Sequence, residues 1–259
     1  MRENAEGEVA KLDRQQFADW LKRQGAFHRR IVVLTGAGIS AESGIPTFRG
    51  RDGLWRNMDP SDLFTPEALM RDPVLVWEMY DELRTRIAAA SPNAGHYALA
   101  ALGRRREMTL VTQNIDGLHQ RAGSERVYEL HGSLWRIRCT NCDDNCAHTH
   151  TPLSVLPPRC GRCGAVMRPD IVLFSEALPE DVLQYADQAV EQCDLMLVVG
   201  TSGVVYPAAA LPMTARRRGA LVLEINPQDT ALTGEMDYVI RATAADALPW
   251  VVEVLVDEW

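Results

Sequence analysis

Four cysteines in two pairs, Cys139-x-x-Cys142 and Cys160-x-x-Cys163, constrain this chain more than any other feature. Residues 143–159 separate the pairs, a spacing that suits one structural zinc ion. Four thiolates leave zinc no open position for water, so such a metal holds structure and does no chemistry. A redox role is the alternative for paired CxxC. Around the pairs, residues 134–168 carry Pro152, Pro157 and Pro158 and little periodicity. That stretch reads as an inserted module held by metal more than by a core of its own.

The rest of the chain alternates apolar strands with helices. Phe17, Trp20 and Leu21 share one face of a helix at 12–24. A long helix is expected at 73–90, with Pro73 at its start and Pro92 beyond its end, and Asn93 caps another at 94–103. Strands are expected at 31–35, 108–112, 127–130, 195–199 and 221–225. Helices fit 179–193 and 207–218, and Asp246 is placed to cap a last one. The pattern implies an α/β fold, a Rossmann-like parallel sheet with helices on both faces plus a small inserted zinc-ribbon domain. The expected organisation is a helical segment at 1–30, a large domain from 31–133 and 169–259, and the zinc module at 134–168, which borrows helices from 40–95.

A net charge of −8 disfavours a general nucleic-acid partner, because phosphate contacts need a basic surface. The basic runs Arg104–Arg106 and Arg216–Arg218 read as solvated helix ends. No segment approaches the ~20 apolar residues of a membrane span, and the N-terminal residues lack the apolar stretch of a secretory signal. A cytoplasmic location is expected, where cysteines favour metal over disulfides. Cys193 precedes an apolar strand and reads as a buried hydrophobe; Cys146, near His148 and His150, reads as a loop thiol or a spare ligand.

Several motifs lie just beyond expected strand ends. Gly36-x-Gly38-x-x-Ala41 follows the apolar run Ile31–Leu34, the arrangement that lets backbone approach a pyrophosphate at a helix start. The acidic residue that usually follows about 20 positions later at a strand end is not evident, since Asp52 and Asp59 lie in a loop-like stretch. Residues 43–50 form a Gly- and Pro-rich loop that suits a lid, with Phe48 and Arg49 to cover a ligand. Gln113, Asn114 and Asp116 follow the strand at 108–112, and His131, before Gly132, follows the strand at 127–130. A neutral imidazole is the natural base near pH 7. Each motif alone also fits an ordinary turn, cap or structural histidine.

Together, GAGISAESGIPTFRG at 36–50, TQNIDGLH at 112–119, His131-Gly132, both CxxC pairs, GTS at 200–202 and Ile225-Asn226 resemble the sirtuin family of NAD-dependent protein deacylases. The likeness runs from about residue 30 to 255 and looks closest to the bacterial, desuccinylase-containing branch. It implies NAD between the sheet and the zinc module, with Ala37, Glu42 and the 44–49 loop, Phe48 included, at the nicotinamide end and Arg49 near the pyrophosphate or ribose. It further implies Gln113 and Asn114 on the ribose, and Asp116 on the carboxamide. Gly36, Gly38, Gly200, Thr201 and Ser202 would serve the phosphates, and Asn226 and Ala245 the adenosine. His131, with Asn114, would carry catalysis, deprotonating a ribose hydroxyl after an acyl-lysine oxygen has displaced nicotinamide. The products would be free lysine and O-acyl-ADP-ribose. The substrate peptide would add as a strand between Val172–Glu176 and Gly203–Tyr206, meeting Val172, Phe174 and Val204. Ser175 stands where the family usually has glycine.

The branch's Tyr-x-x-Arg pair, which holds acidic acyl groups, is broken here: Tyr80 is followed by Leu83, and Arg84 comes one residue late. Leu83 beside Tyr80 favours acetyl or other short neutral acyl groups. The alternatives are removal of succinyl or malonyl with Arg84 as the cation, ADP-ribosyl transfer or NAD hydrolysis, and a non-enzymatic NAD-sensing scaffold.

Overall fold

The computed structural model describes residues 14–24, 30–46 and 64–257. Its strands are β1 (Arg30–Thr35), β2 (Glu107–Thr112), β3 (Val127–Glu129), β4 (Gly132–Cys139), β5 (Asn145–Ala147), β6 (Met167–Ile171), β7 (Leu195–Val199), β8 (Leu221–Ile225) and β9 (Tyr238–Ile240). A six-stranded sheet runs in the order β3-β2-β1-β7-β8-β9, with every neighbouring pair parallel. The chain builds outward from β1 to β3, returns to the centre at β7, and builds outward again to β9. The carboxyl ends of β1 and β7 therefore flank the point where the winding reverses, the usual ligand crevice of such sheets.

Alternation along the central strands assigns the two faces. Ile31, Val33, Leu197 and Leu223 pack with Phe17 and Leu21 of the helix at 14–24, with Leu99 and Leu102 of the Ala94–Arg105 helix, and with Leu248 and Val251 of the Ala244–Asp257 helix. Val32, Leu34, Met196 and Val198 pack on the other face, against Ala186 and Val190 of the Glu180–Gln192 helix and Leu211 and Ala215 of the Leu211–Arg217 helix. Each large apolar side chain buried this way contributes about 1.5–3 kcal/mol.

The second sheet has three antiparallel strands, in the order β5-β4-β6. Leu134, Ile137, Met167 and Ile171 share a core with Val76, Trp77 and Ile87 of the Pro73–Ala89 helix. The Trp77 indole N–H donates to the Met167 carbonyl at 2.7 Å. The module thus shares its core with the long helix, one of the segments from 40–95 it was expected to borrow.

Smaller differences have local causes. Asn93 caps its helix through the Gly95 N–H, and that helix runs on to Arg105. Arg106 is more than a solvated helix end, because its guanidinium donates to the Leu255 and Val256 carbonyls and closes the last helix. Asp246 lies inside that last helix; Thr243 does the capping, accepting from the Asp246 N–H and donating to its carboxylate. The expected helix at 207–218 divides into a short 3-10 turn, Ala208–Ala210, and the Leu211–Arg217 helix.

At the switch point the two halves touch through bare backbone. The Gly36 N–H donates to the Val199 carbonyl at 3.0 Å, and the Gly38 N–H to the Gly200 carbonyl at 2.8 Å. A Cβ on Gly38 would lie 2.6 Å from the Gly200 Cα. Gly38→Ala should therefore lower stability by about 1–3 kcal/mol, read from urea unfolding; an unchanged midpoint would show that the turn yields freely.

Candidate active site

Because the large sheet is parallel, the carboxyl ends of its strands share one edge. Gly36 to Glu42 follow β1, Gln113 to Asp116 follow β2, and His131 lies two residues past β3. Gly200, Thr201 and Ser202 follow β7, and Asn226 follows β8. These loops and the segment after β6 enclose a cavity of about 1200 Å³. That exceeds the ~300–1000 Å³ of a typical small-ligand pocket and leaves room for two reactants.

Most residues singled out from sequence meet there. Gly36, Ala37, Gly38, Glu42, Gln113 and Asn114 line the cavity with His131, Gly200, Thr201, Ser202 and Asn226. Tyr80, Leu83, Val172, Phe174 and Val204 line it too. Asp116 sits just beneath, in a smaller void it shares with Ala37, Ser40, Leu83 and Asn114. Ala245 contributes through its backbone N–H, which donates to Glu42 Oε2 at 2.9 Å, so Glu42 reaches the start of the last helix. Phe48 and Arg49 lie outside the described residues.

His131 has a defined proton arrangement. Its Nδ1 lies 2.8 Å from the Gln113 carbonyl, which can only accept, so Nδ1 carries the proton and Nε2 keeps its lone pair. Burial lowers its pKa below the ordinary histidine value, opposed by the Gln113 hydrogen bond. The imidazole is therefore neutral at pH 7 and able to accept a proton.

Beneath the cavity lies a buried polar network in which Asn114 and Asp116, singled out from the sequence, meet Ser40, which was not. Ser40 Oγ donates to Asp116 Oδ2 at 2.7 Å, and the Asn114 amide donates to the Gly36 carbonyl at 3.1 Å and to Ser40 at 3.2 Å. The Leu118 N–H holds the other Asp116 oxygen at 2.9 Å. Burial raises the Asp116 pKa, while the Leu118 and Ser40 bonds oppose it. His96 and His119 pack ring to ring, and burial pushes them down to about 4 and about 3. Ser40 and His119 lie inside the motifs at 36–50 and 112–119 but had no role assigned; His96 carries no local signal, since helical polar residues usually face water.

The far wall is an apolar groove. Phe174, Val204, Val205 and Tyr206 are exposed along its two sides. Ser175 has φ of 71°, in the left-handed region that disfavours a Cβ, which explains physically why glycine suits this position. Tyr80 is buried, and burial raises its phenol pKa, so it stays neutral. Arg84 does not join Tyr80 in the cavity. It is fully buried and donates to the carbonyls of Leu134, His148 and His150 at 3.1, 2.7 and 2.8 Å.

The four paired cysteines converge, with all sulfurs within 4.8 Å of one another. The Cys139–Cys163 and Cys142–Cys160 separations are 3.5 and 3.7 Å, near the ~3.8 Å edge of a tetrahedron with ~2.3 Å zinc–sulfur bonds. The Asn141 and Arg162 N–H groups donate to the Cys139 and Cys160 sulfurs, which suits thiolates. The donor set fits a closed structural zinc. Cys146 is exposed and outside this cluster, and Cys193 is buried.

The switch-point cavity, with glycine turns on one side and His131 on another, defines a nucleotide-binding protein of the doubly wound α/β class. Residues 36–207 match the model of the Sir2 family, and the chain belongs to that family. An NAD-dependent protein deacylase of Aquifex aeolicus is 50% identical over 230 residues, 88% of this chain and 96% of that one. A Sir2 homologue crystallised with NAD superposes with a TM-score of 0.85 at 44% identity, over 89% of this chain and 91% of that one. A Sir2 structure with a p53 peptide and NAD+ gives 0.80 at 33% identity, over 92% and 96%.

Zinc analysis of the purified protein should find about one ion per chain, and Cys142→Ser should lose it and loosen the β4–β6 module. A folded, metal-free Cys142→Ser protein with native stability would contradict a structural metal.

Proposed function

We propose that this protein removes acyl groups from protein lysines, consuming NAD and releasing nicotinamide and O-acyl-ADP-ribose. One observation carries the reading: a His131 with its pKa lowered and its proton placed on Nδ1 lines the same cavity as the glycine turns and the apolar groove. The names and complexes of the relatives support it.

In this reading the backbone at Gly36, Gly38 and Gly200 accommodates the phosphates, with Thr201 and Ser202 alongside. Gln113 is held by a hydrogen bond to Thr201 Oγ1 at 2.9 Å, and Gln113 and Asn114 orient the nicotinamide ribose. Asp116, fixed by Ser40, receives the carboxamide. Asn226, tied to the Thr201 carbonyl, and the Thr243–Ala245 turn hold the adenosine side. The acyl-lysine enters as a strand between Val172–Glu176 and Gly203–Tyr206, its acyl chain against Tyr80 and Leu83. His131 Nε2 takes the proton of a ribose hydroxyl, so that this oxygen can attack the activated acyl carbon. The cavity positions a poor amide nucleophile next to the departing nicotinamide, where proximity supplies most of the rate.

The acyl group is neutral and short. Among the described residues lining the cavity there is no lysine or arginine. Arg84 is committed to three carbonyls, and Arg168, whose charge bears on Tyr80, is held by both oxygens of Glu176 at 2.6 and 2.8 Å. A succinyl carboxylate beside Tyr80 would be buried without a partner, which costs several kcal/mol.

Acetyl- and butyryl-lysine peptides should exceed the succinyl peptide in kcat/KM by at least about tenfold, about 1.4 kcal/mol; equal or better succinyl turnover would overturn the neutral-acyl reading. His131→Ala should stop deacylation while NAD still binds. In the wild type the base works only unprotonated. Because burial sets its pKa below 6.5, kcat/KM should hold at neutral pH and fall only as the pH drops through that lower value. A half-point above pH 7 would assign the base elsewhere.

A further inference from the structure

We infer that Asp81 and Arg84 are positioning residues that set the distance between the acyl-facing wall and the catalytic base. The inference rests on the deacylase reading and names two residues that never line the cavity.

The Pro73–Ala89 helix divides its labour within one turn. Successive residues on a helix are ~100° apart, so Leu83 and Arg84 leave on different sides. Tyr80 and Leu83 line the cavity. Asp81 and Arg84, both buried, grip the segment at 148–153 instead. Asp81 accepts from the Thr151 hydroxyl at 3.1 Å and from the Leu153 N–H at 2.9 Å. Thr85 adds a hydroxyl–hydroxyl bond to Thr151 at 2.9 Å. Arg84 donates to the His148 and His150 carbonyls, contacts His148 Nδ1 at 3.0 Å, and lies 5.4 Å over the Trp135 ring.

The decisive bond is the one from Arg84 to the Leu134 carbonyl, at 3.1 Å. Leu134 lies in β4, three residues after His131, and its own N–H is held by the Ile115 carbonyl beyond β2. A short path of backbone and one hydrogen bond therefore runs from Leu83 through Arg84 and Leu134 to His131, across Gly132. The segment at 148–153 adds no side chain to the cavity; its polar contacts bear on the site through the helix and through β4, where the His148 N–H donates to the Trp135 carbonyl at 2.7 Å. Asp81 and Arg84 are opposite charges buried within one helix turn, and each is held by directional hydrogen bonds to the 148–153 segment. These bonds add to the apolar core and the Trp77–Met167 bond that also seat the helix, and a misplacement of about 1 Å at a reacting centre can cost about 100-fold in rate.

The test measures binding and turnover together. Wild type, Arg84→Gln, Asp81→Asn and the milder loop variant Thr151→Val are compared with acetyl-, butyryl- and hexanoyl-lysine peptides, by fluorescence anisotropy and by kcat/KM, with zinc content and NAD KM as controls. The expected result is a change of about threefold or more in the acetyl-to-hexanoyl ratio, in affinity and in kcat/KM, with NAD KM and zinc nearly unchanged. Thr151→Val should shift the ratio in the same direction but less, and it keeps the test open where a charge variant does not fold. Losses equal for every acyl group, or no change in the ratio, would overturn the inference and leave a purely structural latch. A wild type that binds acyl peptides without releasing free lysine would sink the deacylase reading, while the affinity ratios still decide the positioning role. A wild type that binds none would overturn both.

Discussion

The contact between the glycine turns at Gly36–Gly38 and Gly200 is the constraint on which the rest of the molecule depends. It joins the two halves of the sheet at its centre, backbone to backbone, with no room for a Cβ. Because those halves wind in opposite directions, the loops beyond their strands spread apart and leave a crevice. The cavity, the base beyond β3 and the polar loop beyond β2 all inherit their positions from that arrangement. The proposed activity assigns the proton transfer to His131, whose pKa burial lowers and whose Nδ1 a carbonyl holds.

The opposite wall is built on a different principle. It stands on a long helix and a three-stranded module, joined by an apolar core and by buried charge. Four sulfurs, all within 4.8 Å of one another and suited to a structural zinc, gather at the module's far end. Such a wall can vary in chemistry without disturbing the sheet. Placing arginine at 84 instead of 83 turns a cation away from the cavity and into the joint between helix and module.

What could be read from the sequence follows from what each residue faces. β7 and β8 match their expected spans because strands buried on both faces are continuous apolar runs. The antiparallel strands escaped because Arg136, Arg138 and Arg168 interrupt them. Those charges are paired across the sheet and its margins with Glu129, Asp170 and Glu176, which only tertiary structure reveals. β9 is too short to show a period. The cysteines and strand-end motifs were legible because their chemistry needs fixed residue types at fixed spacings. The support beneath them was not, since Ser40, His96 and His119 look like ordinary polar residues until burial brings them together.

The most direct measurement is mass spectrometry of the products formed from NAD and an acetyl-lysine peptide. A cavity that positions both reactants against His131 predicts nicotinamide, deacylated peptide and O-acetyl-ADP-ribose in equal amounts. Nicotinamide released without deacylated peptide would contradict it, and would assign the cavity to ADP-ribosyl transfer or NAD hydrolysis.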